Sequence, residues 1–209
     1  MMKNLLLILC FLPMWALAQE EDQSKYMVGA VPEVNGKVVF SQEINAPNLS
    51  KDQIFDAILA WANTRFKTDK GNWGMVAYSN KEEGQIACYG NEYIVFADKT
   101  FSLDRAKINY RMNFVCTSGK CNVEVTNITY LYPEDSRERL AAEEWITDKQ
   151  AMNKDQTKLI NRIAKFRIKT IDLVESLNEG AQKSLGVQNA PATTTTQQVP
   201  VQTVASISA

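Results

Sequence analysis

From Lys107 onward the chain alternates. Ile108, Tyr110, Met112, Phe114 and Cys116 hold one parity, and Lys107, Asn109, Arg111, Asn113 and Val115 hold the other. A period of two with one apolar side predicts a strand with one buried and one wet face. Thr117-Ser118-Gly119-Lys120 reads as a hairpin turn. The return strand buries Cys121, Val123 and Val125, then changes parity to Ile128, Tyr130 and Tyr132. A parity change inside a strand predicts a bulge near Thr126-Asn127, and a bulge bends the sheet towards a concave face.

Other segments follow the same logic. Asn35-Gly36 lies between the apolar runs 26–34 and 37–44, which is a hairpin signal, with Pro32 placing the first arm at an edge or leaving it irregular. Ser50-Lys51-Asp52-Gln53 fits a capping box. Ile54, Phe55, Ile58, Leu59, Ala62 and Phe66 then recur at helical spacing, with Trp61 bordering the stripe. Short strands are predicted over residues 74–80, 85–89 and 92–97, separated by Lys81-Glu82-Glu83-Gly84 and Gly90-Asn91. After Pro133, residues 137–145 form one helical candidate. Residues 155–179, closed by Gly180, form the main one, with Leu159, Ile163, Phe166, Thr170, Val174 and Leu177 on one face. Lys154, Lys158, Arg162, Lys165 and Lys169 fall on the opposite face as a basic stripe. Strand, helix, a run of antiparallel strands and a long terminal helix make an α+β fold, a curved antiparallel sheet with helices packed on one face.

The ends differ in composition. Lys3 precedes a 14-residue apolar stretch that closes on Ala16-Leu17-Ala18, the pattern of a cleaved signal peptide over residues 1–18. A lipid anchor at Cys10 is disfavoured by the large Leu9 before it. The stretch falls short of the about 20 residues of a membrane-spanning helix. The expected organisation is a signal peptide (1–18), a flexible N-terminus (19–25), one α+β domain (26–185) and a disordered Thr/Gln/Pro tail (186–209) that lacks charge and contains Thr193 to Thr196. Loss of Lys3 takes the formal charge from −1 to −2. That balance argues against a nucleic-acid partner. The 209 residues contain no histidine, which excludes Ser-His-Asp and Cys-His catalysis and His-based zinc sites.

Several phrases resemble a family of secreted proteins from Gram-negative bacteria, described as a domain of unknown function with a TATA-binding-protein-like fold. They are Val31-Pro32, Gly36-Lys37-Val38-Val39-Phe40, Trp145-Ile146-Thr147-Asp148-Lys149, Lys165-Phe166-Arg167 and Lys169-Thr170-Ile171-Asp172. The resemblance spans roughly residues 26–180 and implies the fold and an exported location. It brings no activity and no catalytic residues, and a label of shape does not fix function.

Candidate chemistry is sparse. Cys116 and Cys121 oppose each other across a short turn, as a disulfide or as two buried thiols. Cys88 reads as a buried filler. Glu82-Glu83 and Glu143-Glu144 read as solvated acids rather than a catalytic pair. Lys158, Arg162, Lys165 and Lys169 are candidates for contact with an acidic cell-envelope protein or an anionic surface, against a plain solvated helix face. Trp145, Thr147, Asp148, Phe166 and Arg167 stand in the family-like motifs, and Asp148, Trp145 and Lys165-Phe166-Arg167 suit locking the last helix onto the domain. Tyr78, Tyr89, Tyr93, Tyr110, Tyr130 and Tyr132 lie on strands and either line a groove or pack. No cofactor motif, metal-ligand cluster or phosphate loop is evident. The expected function is an exported, non-catalytic binding module of the periplasm or cell surface. The alternatives are a carrier of an apolar molecule between sheet and terminal helix, and a histidine-free hydrolase.

Overall fold

The structure, a computed structural model, describes residues 23–69, 71–99 and 102–187. The expected signal peptide and nearly all of the expected tail lie outside those residues. The two-residue strands β1 (Glu33–Val34) and β2 (Lys37–Val38) pair across Asn35 and Gly36. Both turn residues have positive φ, 51° and 72°, as a type I′ turn demands. The first arm is shorter than expected because Pro32 has no N–H to extend the ladder; its carbonyl instead accepts from Val39 N at 3.1 Å. Upstream, Gln23–Tyr26 is a single 3-10 turn rather than a loose end. Lys25 holds it to Asp172 and Glu175 at 3.1 and 2.8 Å.

The main sheet has six strands and is antiparallel throughout. Its order is β3 (Phe40–Asn45), β7 (Lys120–Leu131), β6 (Ser102–Thr117), β5 (Gln85–Lys99) and β4 (Trp73–Asn80), with β8 (Leu140–Ala141) also pairing β7. The alternation along β6 holds: Ile108, Tyr110, Met112, Phe114 and Cys116 are all buried. The β7 bulge lies where the parity change puts it. Arg111 pairs Thr126, Asn109 pairs Thr129, and Asn127 takes φ 54°. Two further register shifts, at Val76/Tyr78 and Val95/Ala97, add local twist on the other side of the sheet.

Helix α1 (Lys51–Arg65) starts at the expected capping box. Ser50 Oγ accepts from Gln53 N at 3.3 Å, and Gln53 Oε1 accepts from Ser50 N at 2.9 Å. Ile54, Phe55, Ile58 and Ala62 turn into the core. Helix α3 (Asn161–Ser184) packs on the same side of the sheet through Ile163, Phe166, Thr170, Val174 and Leu177. It ends at Gly186, φ 70°, where Val187 N bonds Gln182 O and Gly186 N bonds Lys183 O, the paired closure of a Schellman motif. No helix among the described residues is long and apolar enough to cross a membrane.

Three expectations are corrected. Gly90-Asn91 is not a turn, because β5 runs through it; a Cβ on Gly90 would lie 2.3 Å from Tyr110 Cζ, so glycine here makes room for a ring. Gly180 does not end α3 but lies inside it, under the Trp61 indole, whose Nε1 would be 2.8 Å from a Cβ. Residues 137–145 are not a helix. They supply β8 and one 3-10 turn, Ala142–Glu144, because pairing with Thr129 and Tyr130 of β7 outweighs local helix propensity. The short helix α2 (Asp148–Ala151) follows that turn.

Candidate functional site

The motif residues converge on a structural lock. Arg167 has 0 % of its surface exposed. Its guanidinium donates to the carbonyls of Tyr26, Met27 and Ile146 at 2.7, 2.6 and 2.8 Å, and to Asp148 Oδ1 at 2.6 Å. Asp148 Oδ2 accepts from Gly29 N at 2.8 Å. One buried cation thus ties the N-terminal turn, the segment before α2 and helix α3 together. Beside it Phe166 sits among Phe96, Tyr130, Tyr132 and Trp145, with ring centroids 4.7 to 5.7 Å away. Thr147 is buried and donates to Glu143 O at 3.3 Å. These contacts are packing and charge satisfaction.

The basic stripe does not exist as one helix face. Lys154 and Lys158 precede α3, in a turn whose amides at Thr157 and Lys158 bond Asn153 Oδ1. Arg162 lies over the Trp145 ring at 5.9 Å. Lys165 bonds Asp104 Oδ2 at 2.7 Å and Tyr132 Oη at 3.0 Å. Burial alone would lower the Lys165 pKa, but the Asp104 and Tyr132 contacts outweigh it and hold the ammonium charged. The hydrogen bond from Lys165 keeps the Asp104 carboxyl below its usual range. Lys169 remains part-exposed.

The acidic pairs are likewise tied to structure. Glu82 and Glu83 sit exposed in the β4–β5 turn, and Glu143 Oε1 accepts from Val38 N at 3.1 Å. The enclosed carboxylate is Glu92, which receives Arg65 Nη2 at 2.7 Å and the Tyr110 hydroxyl at 2.6 Å. Burial raises the Tyr110 pKa, with Glu92 adding to it. Cys116 and Cys121 face each other with Sγ atoms 3.8 Å apart. Cys88 is buried, and burial pushes its thiol up to about 12.

The sheet face turned away from α1 and α3 is different in kind. Trp73 (47 % exposed), Met75, Tyr78 and Tyr89 stand on β4 and β5. Beside them, on β6, come Arg105, Lys107, Asn109 and Arg111. Arg105 stacks on Tyr93 at 3.9 Å, and Lys107 lies 5.0 Å from the same ring. Arg111 Nη2 donates to Tyr89 Oη at 2.9 Å, and Asn91 donates to Asn109 Oδ1 across the strands. Where the β7 bulge interrupts the ladder, Trp73, Tyr89, Gly90, Asn109, Tyr110, Arg111 and Asn127 line a shallow hollow of about 190 Å³. The polar parity of β6 already marks Asn109 and Arg111 as outward. Trp73 is missed in the sequence because the predicted strand starts at Gly74, one residue after it, so the outward parity it shares with Met75 is not seen.

The fold has known relatives. A family model described as a domain of unknown function (DUF4468) with TBP-like fold matches residues 40–131. A crystal structure of a DUF4468 family protein from Bacteroides ovatus ATCC 8483 is 42% identical, with a TM-score of 0.75 over 83% of this chain and 99% of that one. A TBP-like protein from Parabacteroides distasonis ATCC 8503 is 28% identical, with a TM-score of 0.62 over 75% of this chain and 97% of that one. Among curated proteins, none matches. With its sheet order, its helices on one side and nearly the whole of the Bacteroides ovatus protein covered, the chain belongs to the DUF4468 family and has its TBP-like fold.

Proposed function

We propose that this chain is an exported, non-catalytic binding module of the cell envelope that meets its partner through the helix-free face of its sheet. The observation that carries this reading is the concentration of exposed aromatic and apolar side chains there: Trp73, Met75, Tyr78 and Tyr89 on adjacent strands, Val115 further across. Contiguous exposed apolar surface of this kind marks interaction sites. Aromatic side chains supply large contact area at low entropic cost. Export rests on the N-terminal pattern ending in Ala16-Leu17-Ala18.

Tyr130, Phe114, Phe166, Met112 and Ile128 fill the space under the helices, which speaks against an apolar guest between sheet and α3. The acids expected to be solvated bond backbone amides or lie exposed in a turn, an arrangement unlike two carboxyls facing across a cleft.

Co-sedimentation of the purified protein with cell-envelope material from its host tests the reading. The double variant Trp73→Ala/Tyr89→Ala is expected to fold and to lose most of the association, about tenfold or more for two exposed anchors. The far-side variant Lys169→Gln is expected to behave as wild type. Retained binding by the double variant, or turnover of glycan, peptide or ester substrates, contradicts the proposal.

A further inference from the structure

The hollow at the β7 bulge has a specific chemistry. Two donors on residues that line it, Arg111 Nε and Asn109 Nδ2, are covered from solvent and have no acceptor among the described residues, so a guest reaches them only once a covering side chain moves. Enclosed donors without partners are costly, and a guest rich in oxygen acceptors would relieve both. None of the seven lining residues is acidic. Among the described residues, the Arg111 side chain donates only to a neutral phenol, Tyr89. Lys107, on the same face of the same strand, lies 5.0 Å from the Tyr93 ring and has no carboxylate within salt-bridge distance among the described residues, whereas Arg105 is neutralised by Glu134 at 2.9 Å. Flat aromatic surface stands at the rim, from Trp73 and Tyr89. The volume of about 190 Å³ is well below the roughly 300–1,000 Å³ of drug-sized pockets, so it takes one ring.

We propose that this hollow is a subsite for a carboxylate-bearing sugar unit of an acidic glycan. The sugar ring lies against Trp73 and Tyr89, its carboxylate meets the Arg111 guanidinium, and its hydroxyl oxygens meet Asn109. This inference rests on the helix-free face being the contact surface. Arginine suits the role because its planar fork matches a carboxylate and is more weakly hydrated than an ammonium. The Tyr89 ring, exposed and 5.1 Å from the Arg111 guanidinium carbon, tilts aside to uncover those donors and admit the guest. Lys107 lies four residues along β6, about 13 Å away. A second negative charge therefore reaches it only from an oligomer, which makes binding length-dependent. A nucleic acid would also offer anions and stacking rings, but the chain carries 24 acidic against 23 basic residues and no basic excess to hold a phosphate backbone.

Titration calorimetry of the purified protein with galacturonic-acid oligomers tests this, against uncharged galactose oligomers of the same length and a single-stranded DNA. The expected result is binding of the acidic oligomer that strengthens with length, weakens with salt and falls about tenfold or more in Arg111→Gln. The neutral oligomer and the DNA should bind at least about tenfold more weakly. Arg111→Lys should recover part of the loss. Equal binding of the neutral oligomer, equal binding of DNA, no binding of the acidic oligomer, or an unchanged Arg111→Gln each overturns the proposal. Should the acidic oligomer fail while Trp73→Ala/Tyr89→Ala still abolishes envelope association, the face is right and the ligand class is wrong. Should both fail, the face itself is wrong.

Discussion

Arg167 shows how a residue that looks like surface charge in a sequence turns out to be interior. Within the run Lys165-Phe166-Arg167 nothing local distinguishes Lys165, held by Asp104 near the surface, from Arg167, wholly enclosed. The difference is made by three carbonyls that are distant in sequence or on another element, and by Asp148. Arg167→Met would take the guanidinium donors from the Tyr26 and Ile146 carbonyls, leave Met27 O with Ala30 N alone, and strip Asp148 of its cation, so urea unfolding is expected to show a loss of about 3 kcal/mol. Asp148→Asn keeps the carbonyl bonds and is expected to lose less, about 1–2 kcal/mol. Equal, near-zero effects in both would refute the lock. Gly90 was hard to read for a related reason. A glycine inside a strand signals close approach, but only the fold reveals that the approaching group is the Tyr110 ring. Cys88 gives a chemical check on burial. With its thiol pushed up to about 12, it stays protonated near pH 8, and iodoacetamide is expected to label it in urea but not in the native protein. Rapid native labelling at Cys88 would show that this part of the core opens.

Among the elements, β6, β7 and α1 were the most legible. Their signals are local: alternation, a parity change and a capping box each specify geometry within a few residues. The start of α3 was less legible because Asn153 caps the preceding turn with its side chain, and Met152 bridges Leu159. Such side-chain bonds compete with helix, and periodicity alone does not reveal them. The β6–β7 hairpin also carries a proposal of its own. Cys116 and Cys121 are directly paired, with thiols 3.8 Å apart, and we propose that they join as a disulfide in an oxidising compartment. A small-molecule disulfide would accept the two electrons and two protons, leaving as two thiols. The loop is short, so the added stability is expected to be about 1–2 kcal/mol, with the register of the hairpin pinned. Thiol counting on the unreduced, urea-unfolded protein, with residues 1–18 removed, is expected to find Cys88 alone. Finding Cys88, Cys116 and Cys121 all free would reject the bridge.

For the whole molecule, the fold divides the sheet into two faces of unlike composition. One face is covered by α1 and α3 and holds the aromatic core and the Arg167 lock. The other presents Trp73, Met75, Tyr78 and Tyr89 beside Arg111 and Asn109. The layout of strands and helices was legible in the sequence, as was the likeness to the DUF4468 family. The candidate site was not, because it is assembled from β4, β5, β6 and the β7 bulge, four segments whose outward residues meet only through register. The central claim, that the domain meets its partner through this helix-free face, is tested most directly by site-specific photo-crosslinking in the host cell. A photoreactive residue would be placed at Tyr78 or Val115 on the open face, and in parallel at Lys158 or Lys169 on the opposite side. The account predicts discrete, repeatable adducts from Tyr78 and Val115 and none from Lys158 and Lys169. Adducts confined to Lys158 and Lys169, with the open face silent, would contradict it.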